Sequence, residues 1–364
     1  MISLLAWIIF IFTILQLLTA LTNLLFERNL AESDEVSQEL VSVLIPARNE
    51  EKNIDNILND LINQDYGNIE IIVFNDQSED NTSQIVNRFV QSDKRISLID
   101  STGLPEGWLG KNYACHILSG DAKGEYLLFL DADVRVGNKL INNVVEFSKK
   151  HTTGLISIFP KQIIKSFGER ITVPNMNFIL VSLLPLILVR KMKFPSLAAA
   201  NGQFMFFRRE IYDSMAPHKM MKSNRIEDIS IARTFKKNSV RVTCLLGDDS
   251  ISCRMYHGFS DAVNGFSKNV IAFFGNSFLL ASLFWLITTF GFLFILFCLS
   301  KVIFILYVIA YLLIRIIITI ASRQNLFYNL LFIIPLQVSL GIFIYKAYIN
   351  KHFRKFQWKG RNID

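Results

Sequence analysis

The apolar residues of this chain are gathered at its two ends in runs as long as a bilayer is thick. Residues 2–26 carry no charge, and residues 270–299, 302–321 and 326–349 form three further runs, parted by Ser300-Lys301 and by Ser322-Arg323-Gln324-Asn325. About 20 apolar residues suffice for a helix to cross the hydrocarbon core. The pattern predicts an N-terminal transmembrane anchor over 1–27 and C-terminal transmembrane helices over 270–349. The first run lacks a basic leader region and a small-x-small cleavage site, so a retained anchor is expected rather than a removed signal. Phe274-Gly275-Asn276-Ser277 interrupts the second run early, which suits an interfacial start. A fifth apolar run, 176–189, holds Pro185, is followed by Arg190, Lys191 and Lys193, and is too short to cross. Over 176–193 a membrane-interfacial segment is expected, with a buried core helix as the alternative.

Composition supports the same class. Apolar residues make up 51% of the 364 and charged residues only 19%, which excludes disorder and departs from ordinary soluble domains. The net charge of +7 favours anionic lipid and phosphate-bearing ligands as partners, and no nucleic acid is expected. The four cysteines form no C-x-x-C pair, so neither a disulfide framework nor a zinc site is indicated. The basic tail over 350–364 belongs in the cytoplasm by the positive-inside rule. Four complete crossings would put both chain ends on one side, whereas the uncharged N-terminus reads as exterior. One apolar segment must therefore fail to cross, or one end breaks the rule.

Between residues 36 and 269 the texture changes. Apolar blocks at 41–45, 69–74, 96–99 and 126–130 alternate with helical patterns at 50–64, 81–91 and 112–123. This alternation predicts an α/β fold with a mostly parallel, Rossmann-like sheet, whose ligands bind beyond the carboxyl ends of the strands. Three polar clusters follow those ends: Pro46-Ala47-Arg48-Asn49-Glu50-Glu51, Asn75-Asp76-Gln77-Ser78-Glu79-Asp80 and Asp131-Ala132-Asp133. Each alone suits a turn or a helix cap. Two carboxylates at i and i+2 after a strand face one way and repel unless a cation sits between them. Mg²⁺ or Mn²⁺ uses such hard oxygen ligands when a diphosphate completes its shell.

The ordered motifs IPARNEE (45–51), NDQSED (75–80), WLGKNYA (108–114) and LDADV (130–134) resemble the cytosolic domain of family 2 glycosyltransferases, which have a GT-A fold. Asn201-Gly202-Gln203-Phe204, His218, Glu227-Asp228, Arg254-Met255-Tyr256 and Gln357-Trp358-Lys359-Gly360-Arg361 extend the likeness. They resemble the membrane-anchored subgroup that includes ceramide glucosyltransferases and bacterial enzymes glycosylating carotenoid acids and hopanoids. The resemblance implies a multi-pass cell-membrane enzyme with a cytoplasmic catalytic domain at 36–269. It would move a sugar from a nucleotide donor, expected to be a UDP-sugar, to a membrane lipid acceptor, with inversion and a Mg²⁺ or Mn²⁺ cofactor.

The same resemblance puts Pro46, Ala47, Arg48, Glu50 and Asp76 against base and ribose. Asp131 would lie near ribose and metal, with Asp133 as direct metal ligand. Lys111, at an expected helix start, would meet phosphate, and Arg254 and Lys268 are further cations for the diphosphate, with solvated or lipid-facing roles as the alternative. Asp228, with Glu227, would supply the general base, and Asp228 also suits a helix N-cap. His218 is an acceptor-site candidate and His257 a candidate extra metal ligand. Trp358 and Arg361 would either fold back on the site or anchor the tail at the interface. Processive synthases of the superfamily carry Q-x-x-R-W after the base. Gly265-Phe266-Ser267-Lys268-Asn269 lacks its Gln and Trp, which argues for one sugar on one lipid. A polymer synthase and a noncatalytic nucleotide-sugar-binding membrane subunit are the alternatives.

Overall fold

The computed structural model describes residues 2–26, 30, 32, 33, 35, 37–353, 357, 358, 361 and 362. The polar part is built on strands β1 (Val41–Ala47), β2 (Ile69–Asn75), β3 (Ile96–Asp100), β4 (Tyr126–Leu130), β5 (Val134–Val136), β6 (Leu155–Phe159), β7 (Lys161–Gln162), β8 (Phe204–Arg208), β9 (Val242–Leu246) and β10 (Ile251–Cys253). Seven of them form one sheet in the order β3-β2-β1-β4-β8-β6-β9. Only β8 runs antiparallel to its neighbours, β4 and β6. A smaller sheet, β5-β10-β7, lies beside it.

Alternate residues of the sheet enter two cores. Leu44, Phe129 and Phe207 face one, and Val43, Leu128 and Phe206 the other. Burial on both faces is why these strands read as continuous apolar blocks rather than alternating ones. The expected strands and helices lie where the apolar pattern put them, with shifted ends. β1 runs through Pro46 to Ala47, because its pairing with β4 stops at Leu44 while that with β2 continues. The donor that proline lacks therefore falls where the β4 ladder has ended. The helix expected from residue 50 begins at Ile54, after a turn in which the Glu50 carbonyl accepts from the Asn53 and Ile54 N–H groups and the Glu50 N–H bonds the Thr82 hydroxyl at 2.8 Å.

Among the described residues four helices are long and apolar enough to cross a membrane: Ile2–Phe26, Phe278–Cys298, Lys301–Ala321 and Ile333–Phe353. The first three form a bundle. Ala6, Ile9, Thr13, Gln16, Ala20 and Asn23 make one buried stripe on the first helix, at the three-to-four spacing of a packed face. Far from the sheet, Ala6 and Ile9 pack with Ile295 and Tyr307. At the domain end, the Asn23 amide donates to the carbonyls of Val181 and Leu184, and Arg323 pairs with Asp249 at 2.7 Å.

The helix Ile333–Phe353 behaves differently. Near its start the Asn175 amide donates to the Leu336 carbonyl at 3.0 Å, and the Ser339 hydroxyl to that of Ile171 at 2.6 Å. Near its end Lys346 donates to Asn264 and Asn350 to Ser267. Leu336 and Asn350 are about 21 Å apart along a helix, yet both touch the polar domain. Both ends of this helix are thus held by the polar domain, while between them it packs on the other apolar helices, where the Gln337 side chain accepts from Thr289 at 3.1 Å and donates to the Tyr311 hydroxyl at 3.2 Å.

The run expected at the headgroups is buried. The helix Pro174–Leu183 is covered over 174–182, and Gln16 donates to Ser182 at 3.1 Å. Asn175, Asn177 and Ser182 make it a polar-studded connector between domain and bundle, so the core-helix alternative describes it. Arg190 behind it contacts His151, while Lys191 and Lys193 are exposed. The side chains of Arg354, Lys355, Trp358, Lys359 and Arg361 lie outside the described residues, so the expectations for the tail find no counterpart here.

Candidate active site

The strand order reverses at β1, which is flanked by β2 and β4, and ligands of open α/β sheets bind at the carboxyl ends beside such a switch. Two of the polar clusters are locked together on that rim. Arg48 donates through Nη1 to the carbonyls of Asp76 (2.7 Å) and Gln77 (3.2 Å). The backbone N–H groups of Asn49 and Glu51 bond Ser78 and Asp80. Asn49 and Gln77 both take φ of 53°, the left-handed turn that brings the two loops face to face. Pro46, Ala47, Arg48, Glu50 and Asp76 therefore share one shelf above β1 and β2.

Beside the shelf lies a cleft of ≈ 200 Å³, lined by Lys111, Asp131, Glu227 and Asp228, with Arg225 and Lys268 at its wall. Lys111 stands in the first turn of the helix Gly110–Asp121. Its Nζ lies 2.6 Å from Asp131, 3.8 Å from Glu227 and 3.1 Å from the Gly202 carbonyl. Burial opposes its charge, yet Asp131 and Glu227 together hold its pKa above the ordinary lysine value. Gly202 lets the Lys111 and Glu227 side chains approach closely. A Cβ there would sit 3.1 Å from Lys111 Nζ and 3.2 Å from Glu227 Oε1.

Glu227 opens the helix Glu227–Lys237, with Asp228 one residue later. Asp228 accepts the Gly202 N–H at 3.0 Å on Oδ2 and the Ile229 N–H at 2.7 Å on Oδ1. Its role as an N-cap is not the one expected, since Ile226 holds the cap position and the Ile226 N–H bonds Asn224. Burial raises the pKa of both Glu227 and Asp228.

Asp131 and Asp133 share the site without the alternation assumed from the sequence. β4 ends at Leu130, and a turn closed by Val134 N–H on the Asp131 carbonyl carries both residues. Repulsion persists. Burial, then Asp131, then Glu50 push the Asp133 carboxyl upward, and Glu50 thereby links shelf and cleft. Asp133 Oδ1 is buried with no hydrogen-bond partner, an arrangement that costs free energy unless something else fills it. Among the described residues no three His, Cys, Asp or Glu side chains converge as an all-protein metal cage.

Other expected residues are placed elsewhere. The Arg254 guanidinium lies 2.8 Å from Glu169. His218 is a core histidine, 2% exposed, with Nδ1 2.7 Å from the Tyr212 hydroxyl, and burial lowers its pKa to about 3. It has no access to an acceptor. His257 is exposed on a turn, its backbone N–H bonded to Asp261, and it does not line the cleft. The sequence reading passed over Glu169, Arg225 and Cys253. Glu169 was detectable, since Ser166-x-x-Glu169 is a capping box: the Glu169 N–H bonds the Ser166 hydroxyl, and the Glu169 carboxylate accepts from that hydroxyl and from the Lys165 N–H. Nothing local in the sequence marks Cys253, which reaches Asp133 only through the fold.

Comparison with known proteins decides the family. Residues 42–215 match the model of glycosyl transferase family 2. The chain carries a family 2 glycosyltransferase domain. A 4,4'-diaponeurosporenoate glycosyltransferase of Staphylococcus haemolyticus is 30% identical over 233 residues, which is 63% of this chain and 60% of that protein. The Staphylococcus aureus protein of the same name is 27% identical over 260 residues, 66% of this chain and 63% of its own length. The chain thus spans under two thirds of these relatives. A mannosyltransferase of Pyrobaculum calidifontis, solved with GDP-Man and Mn²⁺, superposes with a TM-score of 0.59 over 96% of this chain at 16% identity. That likeness concerns the fold, a GT-A domain with apolar helices attached.

Proposed function

We propose that this family 2 glycosyltransferase moves one sugar from a nucleotide-diphosphate donor, UDP in our reading, to a lipid acceptor at the membrane surface. The observation that carries the reading is the convergence of Lys111, Asp131, Glu227 and Asp228 on one cleft beside the switch point. The shelf of Pro46, Ala47, Arg48, Glu50 and Asp76 would seat base and ribose. The buried, unpartnered Oδ1 of Asp133 fits a divalent ion, with Asp131 beside it, since Mg²⁺ and Mn²⁺ sites take one or two carboxylates plus substrate phosphates. Such an ion would supply Lewis-acid stabilisation of the departing diphosphate.

The chain's own residues do the rest. Two backbone N–H groups fix the Asp228 carboxylate, leaving lone pairs to accept the proton of the attacking acceptor hydroxyl. As that oxygen bonds the anomeric carbon, the bond from that carbon to the diphosphate breaks, and the configuration inverts. Lys111 holds Asp131 and Glu227 in place, and Lys268 at the wall would face developing phosphate charge. The relatives' name points to a carotenoid acceptor, and in our reading the acceptor is an apolar lipid of carotenoid, hopanoid or polyprenol type.

Orientation follows from the helices. We read three crossings, with the Ile333–Phe353 helix held to the domain at both ends, so that Lys346 and Lys351 share the domain's side and the N-terminal end of the first helix lies on the other. The positive-inside rule then makes the domain side cytoplasmic. Calorimetry on detergent-purified protein tests the reading: UDP with Mn²⁺ should bind the wild type, and Asp133→Ala should lose the metal-dependent part. No binding of either ligand to the wild type would refute it.

A further inference from the structure

Residues 201–203 lead into β8 and touch several of the charged groups of the cleft. The Gly202 N–H bonds Asp228, and the Gly202 carbonyl accepts from Lys111. The Gln203 carbonyl accepts the Asp131 N–H at 3.1 Å. The Gln203 side chain reaches β10 instead, where its Nε2 donates to the Cys253 sulfur at 2.9 Å. Cys253 is buried at the end of β10 and pairs across the small sheet with Val134, the residue after Asp133. Its thiol is a hydrogen-bond partner of the Asp133 carboxylate. One glutamine therefore acts on both aspartates, on Asp131 through its backbone and on Asp133 through a single sulfur.

This link is anchored at its far end. The Gln203 N–H bonds Asn201 Oδ1 at 2.9 Å, and Asn201 is tied to Ser157 of β6 twice, its N–H donating to the Ser157 hydroxyl at 2.7 Å and its carbonyl accepting from that hydroxyl at 3.1 Å. Ser157, Asn201, Gln203 and Cys253 are all buried, so water does not compete for these bonds. The direction of the chain is fixed by its chemistry. An amide N–H can only donate, so the sulfur accepts from Gln203 and the thiol proton is left for the carboxylate. A sulfur is a weak acceptor, yet it spares the buried amide the larger cost of an unpaired N–H. Asp133 Oδ1 stays without a partner.

We propose that Gln203 is a positioning residue for the metal-binding carboxylates: acting through the Cys253 thiol, it fixes Asp133 relative to Asp131 and leaves one oxygen of Asp133 for the divalent ion. The proposal rests on the transferase reading for the ion, and adds to it two uncharged residues that act on the ion through Asp133. Groups that orient a metal ligand typically account for about 10–100-fold in metal affinity.

The test uses the full chain in detergent and two readouts. One is the infrared S–H stretching band of Cys253 in metal-free protein, assigned by its loss in Cys253→Ala. The other is Mn²⁺ affinity in the presence of UDP, measured by electron paramagnetic resonance. Gln203→Met, which keeps the volume of the side chain and removes its amide, should shift the band. The same variant should weaken Mn²⁺ binding about tenfold and leave metal-free UDP binding unchanged. Cys253→Ala should weaken Mn²⁺ binding by a similar factor, and Cys253→Ser, which keeps a hydroxyl donor in place, should restore it. Because the two residues act in series, the double variant Gln203→Met with Cys253→Ala should bind Mn²⁺ no more weakly than the weaker single one. A band indifferent to Gln203→Met, unchanged Mn²⁺ affinity in that variant, or losses that multiply in the double variant would overturn the proposal and leave the transferase reading standing. Absence of Mn²⁺ binding from the wild type would instead sink the ion of that reading, and this proposal with it.

Discussion

Replacing Lys111 by Met tests whether the cleft is held together by charge. The side chain is nearly isosteric, so the packing around Gly202 is kept while the ammonium 2.6 Å from Asp131 and 3.8 Å from Glu227 is removed. Lys111 and Asp131 are 24% and 29% exposed, so solvent screens the pair and the full cost of an orphaned buried charge does not apply. A loss of about 1–3 kcal/mol is expected, between surface and buried ion pairs. Asp131→Asn should cost less than Lys111→Met, because the lysine also serves Glu227 and the Gly202 carbonyl. In the double variant the penalty should fall short of the sum by about 1–2 kcal/mol, the coupling typical of directly contacting groups. Guanidinium unfolding in detergent, followed by far-ultraviolet circular dichroism, gives all four corners of the cycle. Additive single effects would refute the idea that this ion pair organises the site.

Three further outcomes follow from particular contacts. Gly202→Ala should lower transfer at least about tenfold with little loss of stability, because a Cβ at 3.1 Å from Lys111 Nζ displaces a flexible side chain and not backbone; unchanged turnover would contradict the close approach. Asp133→Asn should leave the metal-free protein as stable as the wild type or more so, since it removes a buried charge repelled by Asp131. Saturating Mn²⁺ should raise the wild-type melting point and not the variant's, by the roughly 2.7 kcal/mol expected at a hundredfold excess over Kd, and equal shifts would exclude Asp133 as a ligand. Bonds from Arg254, the Lys165 N–H and Ser166 outweigh burial and hold the Glu169 carboxyl at about 2, below its ordinary 4.5. Its contribution, about 2 kcal/mol, is then full above pH 4.5 and fades as pH falls towards 2. Glu169→Gln should flatten that acid limb in a thermal-shift titration, and an unchanged limb would count against the assignment.

The first half of the sheet was legible because β1, β2, β3 and β4 are short apolar blocks bounded by turn residues, and β1, β2 and β4 end in polar residues that packing does not need. The second half was not. Leu155–Phe159, Phe204–Arg208 and Val242–Leu246 carry the same apolar signature, but so does Pro174–Leu183, which is a helix. Choosing among them needs the long-range pairing that inserts β8 against β4 and β6. The Asp131 and Asp133 pair was found by an argument about strand alternation that the turn after Leu130 does not obey; the electrostatic part of that argument carried it. Arg254 had the right charge for the diphosphate, and its bond to Glu169 depends on a residue 85 positions away. The question of which segment fails to cross turns on partners that no hydropathy window can show, those of Ser339, Lys346 and Asn350 on the polar domain and those of Gln337 on Thr289 and Tyr311 of two other apolar helices.

The central claim is that the cleft transfers a single sugar to a lipid, and lipid mass spectrometry on proteoliposomes tests it most directly. Wild-type protein supplied with a UDP-sugar, Mn²⁺ and an extract of apolar lipids should yield a lipid carrying one added sugar, absent when Asp228→Asn replaces the wild type. A ladder of sugars, no product with any UDP-sugar, or undiminished product from the variant would contradict the account.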